Sequence, residues 1–239
     1  MATASTKITL VRHGQASFGK ANYDELSELG QKQAVLLGNW WQQCGREFSS
    51  AWSGSLERQK LTSKLALGDQ SVAIDAAFNE YSTETLFVAY KRILDEKVPE
   101  IKDSAQPFID SPAVFFRTLN TLHDAWIAGE EPEDTSGLDF PEFETWVAFR
   151  DRIMAGLLRA AESANGEPVV IFTSGGVISL IFQQLLKVST NQLLEVNWRV
   201  ANSGMTELQY HPRRGFSLLG FNATPHLDQT GDVSLRTYR

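Results

Sequence analysis

The sequence predicts an α/β fold with a mostly parallel sheet, and three observations lead to that prediction. Short apolar runs of strand length alternate with longer segments of helical periodicity over much of the chain. Small or charged residues follow several of these runs, as is typical of the ligand-binding edge of an open α/β sheet. The 239 residues are 42% hydrophobic, which is enough for one cored domain, with or without an insertion.

The first third of the chain establishes the alternation. A β-branched and aliphatic run at 8–11 predicts a buried strand, and Ser27 is suited to cap a helix that ends near Gly45. A brief strand at 51–53 precedes a second helix, which opens at 55–58 and should turn Leu61 and Leu65 inward. A third short strand is expected at 72–74.

The middle of the chain breaks this rhythm. No convincing strand is found from 85 to about 143, whereas Ser111-Pro112 is a strong helix start. We therefore expect a single domain spanning 1–239, with a helical insertion at about 85–143 that lies over one edge of the sheet and forms a lid.

The alternation returns in the last third of the chain. A helix is expected at 146–161, followed by the clearest buried strand at 168–172 and a small-residue turn at 173–176. This turn leads into a helix at 177–187, an arrangement suited to binding an anion. The remaining expectations are a hairpin with strands at 205–210 and 216–221, and a loose tail from Leu227.

Composition excludes several classes of protein. A net charge of -7 without a Lys/Arg run argues against nucleic-acid binding. Cys44 is the only cysteine, so an intramolecular disulfide and a cysteine-based zinc site are both excluded, and a reducing cytoplasm fits. No window has the length of a membrane span. We expect a cytoplasmic protein with no metal and no cofactor.

Chemically suggestive residues follow the predicted strands. Arg12 and His13 end the first strand, Arg58 follows the second, Glu80 follows the third, and the 173–176 turn follows the last. In a parallel sheet these positions converge on one edge. Two arginines, a histidine, a carboxylate and a helix N-terminus suit phosphoryl transfer without a metal ion.

At this point the sequence resembles the histidine phosphatase superfamily, also called the phosphoglycerate mutase-like family. The resemblance covers nearly the whole chain, in blocks at 10–16 (LVRHGQA), 26–34 (LSELGQKQA), 52–58 (WSGSLER), 144–152 and 169–178 (VVIFTSGGVI). It implies a phosphoglycerate mutase-like fold, which is a three-layer α/β/α sandwich.

The resemblance also implies roles for individual residues. His13 would be the phosphorylated nucleophile, and Glu80 the proton donor, with Glu84 as the competing carboxylate one helical turn on. The phosphate-binding set would be Arg12, Arg58, Gln15, Ser174 and Gly175.

Two residues depart from the family pattern. Ser174 stands where the family usually has a second histidine, and a serine hydroxyl gives a weaker hydrogen bond than a charged imidazole. His211 or His226 could supply an imidazole from elsewhere, although a structural role is favoured for His226. Gly19 stands where many relatives carry an asparagine.

The leading hypothesis is a metal-independent phosphatase that acts on small phosphomonoesters through a phosphohistidine on His13. Because of Ser174, a weakened or inactive member that only binds phosphate ligands is the alternative, and a phosphoglycerate mutase is a weaker one. The expected ligand is a small phosphorylated substrate or inorganic phosphate. The oligomeric state stays open, with a homodimer as one candidate.

Overall fold

The structure of the chain is a computed structural model, which describes residues 4–17, 24–102, 111–137, 141–189 and 192–238. It divides into two compact units. The sheet unit comprises Met1–Glu80 and Arg152–Arg239, and the helical unit comprises Tyr81–Asp151. The prediction of one domain with an inserted lid stays a prediction.

The sheet unit is built on a six-stranded mixed sheet. Its strands are β1 (Thr6–Arg12), β2 (Ser50–Ser53), β3 (Ala73–Ile74), β4 (Val169–Thr173), β5 (Met205–His211) and β6 (Gly215–Ala223). The order across the sheet is β3-β2-β4-β1-β5-β6. The first four are parallel, whereas β5 and β6 add as the antiparallel hairpin that the sequence predicts.

The two central strands place the candidate site. Every residue of β4 is buried, which explains its uninterrupted apolar sequence. In the parallel pairing of β1 with β4, Arg12 lies opposite Thr173. The next residues, His13 and Ser174, therefore emerge from neighbouring strands at the same carboxyl edge.

Helices cover both faces of this sheet. They are α1 (Glu28–Gln43), α2 (Glu57–Leu67), α6 (Trp146–Ser163), which begins in the helical unit, α7 (Gly175–Leu186), α8 (Leu193–Arg199) and α9 (Pro225–Asp228). Val11 packs with Trp41 of α1 in one apolar cluster. Thr6 Oγ1 donates a hydrogen bond to the Ala161 carbonyl of α6. Because Thr6 and Val11 point to opposite faces of β1, the prediction of a layered α/β/α fold is confirmed.

Helix α2 differs from its predicted packing. We expected Leu61 and Leu65 to face inward, but both are only half-buried. The fully buried face carries Arg58 and the polar residues Gln59, Thr62 and Ser63. The spacing of the leucines gave a wrong prediction, because the buried face of this helix is polar and contributes to the candidate site.

The expectation of a loose tail from Leu227 is wrong. Leu227 and Leu235 are buried, and a 3₁₀ helix spans Val233–Leu235. The buried amide of Gln33 donates to the Leu235 carbonyl at 2.7 Å and to Thr237 Oγ1 at 2.9 Å. Polar contacts of this kind leave no apolar periodicity in the sequence.

The helical unit contains α3 (Thr83–Ala89), α4 (Lys91–Lys97) and α5 (Pro112–Ala128). The predicted cap is present, because Ser111 accepts a hydrogen bond from the backbone N–H of Val114. An aromatic cluster of Tyr81, Trp126 and Phe149 forms the centre of the unit. The helical character predicted for 85–143 is confirmed for the described residues.

Candidate active site

The loop after β1 is held between two helices. The backbone N–H of Gly14 donates to Thr62 Oγ1 of α2 at 3.0 Å. A Cβ on Gly14 would overlap the carbonyl oxygen of Gly30 in the first turn of α1. Only glycine allows this close approach, so the Arg-His-Gly sequence reflects local packing as well as chemistry.

His13 is buried in its neutral form. Its Nδ1 lies 2.7 Å from the Gly14 carbonyl oxygen, which can only accept a hydrogen bond, so Nδ1 carries the proton. Burial, followed by the nearby charges of Arg58 and Arg12, holds the pKa of His13 well below its ordinary value. Nε2 is therefore left with an unshared electron pair.

Arg58 faces that electron pair. Its Nε donates to His13 Nε2 at 3.2 Å, and its Nη1 donates to Asp24 Oδ1 at 2.8 Å. Asp24 also accepts from the backbone N–H of Glu57 at the start of α2. Sequence reasoning missed Asp24, because only the fold brings this carboxylate beside Arg58.

Arg12 is anchored next to the same imidazole. Its Nη1 donates to the carbonyl oxygens of Val200 and Tyr238, the latter at 3.1 Å. A Cβ on Gly175 would lie 3.4 Å from Arg12 Nε, so the guanidinium lies against the first turn of α7. The C-terminal segment thus helps to place one of the two predicted phosphate-binding arginines.

The start of α7 brings in Glu80 and Ser174. We expected this helix to begin at 177, but it begins at Gly175, so the glycines form its first turn. Glu80 Oε2 accepts a hydrogen bond from the backbone N–H of Gly176 at 2.8 Å. Ser174 is fully buried at the N-cap position, where its hydroxyl makes no capping bond and is contacted instead by Gln59 of α2.

The segment before Glu80 is fixed by Arg152 of α6. One guanidinium nitrogen, Nη1, donates to the carbonyls of Ala76, Ala77 and Asn79 at 2.9 to 3.3 Å. The sequence marks Arg152 only as part of a resembling block. Its contacts with the 76–80 segment could not be predicted from the sequence, because only the fold brings these residues together.

The remaining predicted residues have hydrogen-bond partners of their own. Gln15 Oε1 accepts from Ser27 Oγ at the start of α1, and Gly19 lies outside the described residues. Glu84 is in the helical unit, where its carboxylate accepts from Ser82 Oγ. His211 accepts from the Arg213 backbone N–H in the hairpin turn.

His226 is buried and is linked to the end of β1 through Ser203. Its Nε2 lies 2.8 Å from the hydroxyl of Ser203, whose backbone N–H donates to the Arg12 carbonyl oxygen at 3.0 Å. Burial lowers the pKa of His226 to about 4, so the ring is neutral at physiological pH. This supports the structural role that the sequence favoured for His226.

Among the described residues, no group of three or more His, Cys, Asp or Glu side chains is arranged to hold a metal ion. None of the helices in the same residues is long and apolar enough to cross a membrane.

Similar proteins share both sequence and fold with this chain. A metal-independent phosphoserine phosphatase of Arabidopsis thaliana is 25% identical over 199 residues, which cover 77% of this chain and 71% of the relative. The structure of phosphoglycerate mutase from Bacillus anthracis superposes with a TM-score of 0.66 at 17% identity, covering 97% of this chain and 99% of the other. A phosphoserine phosphatase from Entamoeba histolytica in complex with 3-phosphoglyceric acid gives 0.62 at 21% identity, covering 93% and 99%.

The family model gives the decisive comparison. The model of the histidine phosphatase superfamily (branch 1) matches residues 8–105 and 117–224. These ranges contain the 10–16 block, the arginine of α2 and the turn into α7, which carried the resemblance. The chain belongs to branch 1 of the histidine phosphatase superfamily.

Proposed function

We propose that this protein is a metal-independent phosphatase that hydrolyses small phosphate monoesters through a phosphohistidine on His13. The observation that carries the proposal is the neutral, buried imidazole whose Nε2 faces the Arg58 guanidinium at 3.2 Å. Family membership and the likeness to the Arabidopsis phosphoserine phosphatase support the same activity.

The charges around His13 favour a phosphoryl group as the ligand. Arg12 and Arg58 both lower the pKa of the imidazole, so the ring lies in a positive field with no carboxylate among the causes of its shift. A phosphoryl dianion beside His13 would compensate that field, and guanidinium groups match its oxygens well. Arg58 Nε would then exchange its bond to Nε2 for one to a phosphoryl oxygen.

In the first chemical step, His13 Nε2 attacks the phosphorus atom. The bond from phosphorus to the ester oxygen breaks as the bond from nitrogen to phosphorus forms. Glu80, held by the Gly176 N–H, gives its proton to the departing oxygen, so an alcohol leaves rather than an alkoxide. The two arginines stabilise the charge on the transferring group.

In the second step, water attacks the phosphohistidine. The Glu80 carboxylate takes a proton from that water, the bond from nitrogen to phosphorus breaks, and inorganic phosphate is released. The Gly14 carbonyl keeps the proton on Nδ1 through both steps, so His13 returns to its starting tautomer.

Ser174 supports one alternative, a member of the family that binds phosphorylated ligands without turning them over. The residue lies at the N-cap of α7, where a hydroxyl replaces the imidazole usual in the family. In that case binding would be tight, and no phosphoenzyme would form.

Trapping the phosphoenzyme separates the two functions. The protein is mixed with a radiolabelled phosphomonoester such as phosphoserine and quenched, and the label should remain on the protein as an acid-labile, base-stable adduct. The variant His13→Ala should carry no label and should lose nearly all turnover. Tight binding of phosphate by calorimetry, with no adduct and no turnover over a broad panel of phosphomonoesters, would establish the binding function instead.

A further inference from the structure

The residue that follows Arg58 makes a contact that the reaction described above does not use. Gln59 is fully buried, and so is Ser174. The Gln59 side-chain nitrogen, Nε2, lies 2.8 Å from Ser174 Oγ and 3.0 Å from the Phe78 carbonyl oxygen. Helix α2 therefore supplies the site with a further polar side chain, directed at the residue that departs from the family pattern.

The orientation of the Gln59 amide follows from its partners. A carbonyl oxygen can only accept, so the amide atom that faces Phe78 must be the nitrogen. The same nitrogen contacts Ser174, so its second hydrogen goes to the serine oxygen. Ser174 Oγ is then the acceptor in this pair. The hydroxyl hydrogen of Ser174 stays available to donate a hydrogen bond to a ligand.

That hydroxyl lies at the edge of the sheet where His13 lies. The backbone N–H of His13 donates to the Thr173 carbonyl oxygen at 2.9 Å, and Thr173 immediately precedes Ser174. Neighbouring strands are about 5 Å apart, which is within reach of one phosphoryl group.

The oxygen atom of the Gln59 amide shows that a contribution to the stability of the fold does not by itself explain why a glutamine is present here. Gln59 Oε1 is buried and has no hydrogen-bond partner among the described residues. A buried acceptor without a partner costs stability, which an apolar side chain of the same size would avoid. Gly54 leaves the space that this oxygen occupies, since a Cβ there would overlap it.

We propose that Gln59 is a positioning residue that turns the Ser174 hydroxyl into a hydrogen-bond donor to the transferring phosphoryl group. This inference rests on the proposed phosphatase function. The Gln59 amide takes up the acceptor side of the hydroxyl, so the hydrogen points to the phosphoryl oxygens. A serine held in this way takes over part of the function of the missing histidine.

A double-mutant cycle tests the proposal with p-nitrophenyl phosphate as the probe. Ser174→Ala should lower kcat about 100-fold, as expected for the loss of one donor to the transition state. Gln59→Leu should lower kcat about 10-fold by misplacing that donor. Gln59→Leu should not lower kcat any further in a protein that already carries Ser174→Ala. In the otherwise wild-type protein, Gln59→Leu should leave the thermal unfolding temperature unchanged or raise it.

A matched control is available on the same carbonyl. Thr173 Oγ1 also donates to the Phe78 carbonyl oxygen, at 2.7 Å, but it does not contact Ser174 in the way that Gln59 does. Thr173→Val removes one hydrogen bond to this carbonyl oxygen but leaves the contact between Gln59 and Ser174 in place, so its effect on kcat should be the same in the wild-type and Ser174→Ala backgrounds.

Two results would overturn the proposal. One is an equal loss of kcat for Gln59→Leu with and without Ser174, which would make the two residues independent. The other is a lower unfolding temperature with unchanged kcat, which would make Gln59 purely structural. If Gln59→Leu does not fold, Gly54→Ala displaces the amide from the other side and should give the same dependence on Ser174.

The proposed function and this inference fail in different ways. Wild-type protein that hydrolyses no phosphomonoester contradicts the proposed function. The cycle can then be measured as the affinity for inorganic phosphate by calorimetry, where Gln59→Leu should weaken binding only when Ser174 is present. Equal weakening in both backgrounds, or none, would overturn the inference.

Discussion

Each of the two units buries a histidine, and the two rings differ mainly in what faces Nε2. In the sheet unit, His13 has Nδ1 on the Gly14 carbonyl and Nε2 on the Arg58 guanidinium. In the helical unit, His123 has Nδ1 on the Leu119 carbonyl at 2.7 Å and Nε2 on the Tyr81 hydroxyl at 2.7 Å. Burial is the largest cause lowering the pKa of both rings, to about 4 for His123.

In the proposed reaction, this difference separates the nucleophilic histidine from a structural one. A guanidinium can leave Nε2 when an anion arrives, because the anion offers it a better acceptor. The Tyr81 hydroxyl carries no charge, so an arriving anion attracts it less strongly than it attracts a guanidinium. Burial and a low pKa are therefore not sufficient evidence of catalysis, and the charge of the partner decides between the two interpretations.

The largest expected effect distinguishes two carboxylates, Glu80 in the sheet unit and Glu84 in the helical unit. Glu80→Gln should lower kcat for phosphoserine about 10²- to 10³-fold, since the leaving oxygen loses its proton donor. The loss should be much smaller for p-nitrophenyl phosphate, whose leaving group is stable as an anion. Steady-state kinetics with both substrates measure the difference.

Glu84→Gln is the matched control and should retain kcat within about 3-fold for both substrates, as a group outside the reaction does. If Glu84→Gln, and not Glu80→Gln, lowers kcat much more for phosphoserine than for p-nitrophenyl phosphate, then Glu84 is the proton donor.

A second comparison concerns one ion pair from each unit. Asp24 pairs with Arg58 beside the His13 imidazole, whereas Glu100 pairs with Arg117 on the exposed surface of the helical unit. Asp24→Asn should lower kcat/KM about 10-fold, because Arg58 loses the charge that aims its Nε. Glu100→Gln should change neither activity nor stability measurably, as is usual for an exposed pair.

Thermal unfolding is measured alongside kcat/KM for both variants. Asp24→Asn with full activity would show that the other contacts of Arg58 hold it in place, and that Asp24 only accepts a hydrogen bond from the first backbone N–H of α2.

The sequence predicted the parts of this molecule that local patterns encode. The buried strand at 168–172 and the strand end at Arg12 and His13 could be predicted because burial on both faces leaves an apolar run. The family prediction is confirmed, and so is the α/β fold.

The parts that were missed depend on contacts distant in sequence. Gln59 faces the site only because a polar face of α2 is buried, and Arg152 reaches the segment before Glu80 from a helix more than 70 residues away. The C-terminal segment from Leu227 is ordered by hydrogen bonds to its backbone, which any sequence can provide. No periodicity or motif signals contacts of this kind.

At His123, stability rather than activity should change. Its pKa is about 4 in the folded chain and higher in the unfolded chain, so the unfolded state binds more protons between these values. The free energy of unfolding is therefore at its full value above the unfolded pKa and decreases as the pH falls towards 4. Over this window one such ring accounts for about 3 kcal/mol.

Chemical denaturation of the wild type and His123→Gln at pH 7.5 and pH 5 measures this contribution. The variant should keep kcat within about 3-fold of the wild type, because nothing in the proposed reaction uses this ring. It should lose less stability than the wild type on acidification, since the group that resists protonation is gone. His226→Gln, which removes the other ring with a pKa of about 4, should reduce the pH dependence in the same direction. A large loss of kcat in His123→Gln, with an unchanged pH dependence of stability, would remove the distinction between the two histidines and place the helical unit in the reaction itself.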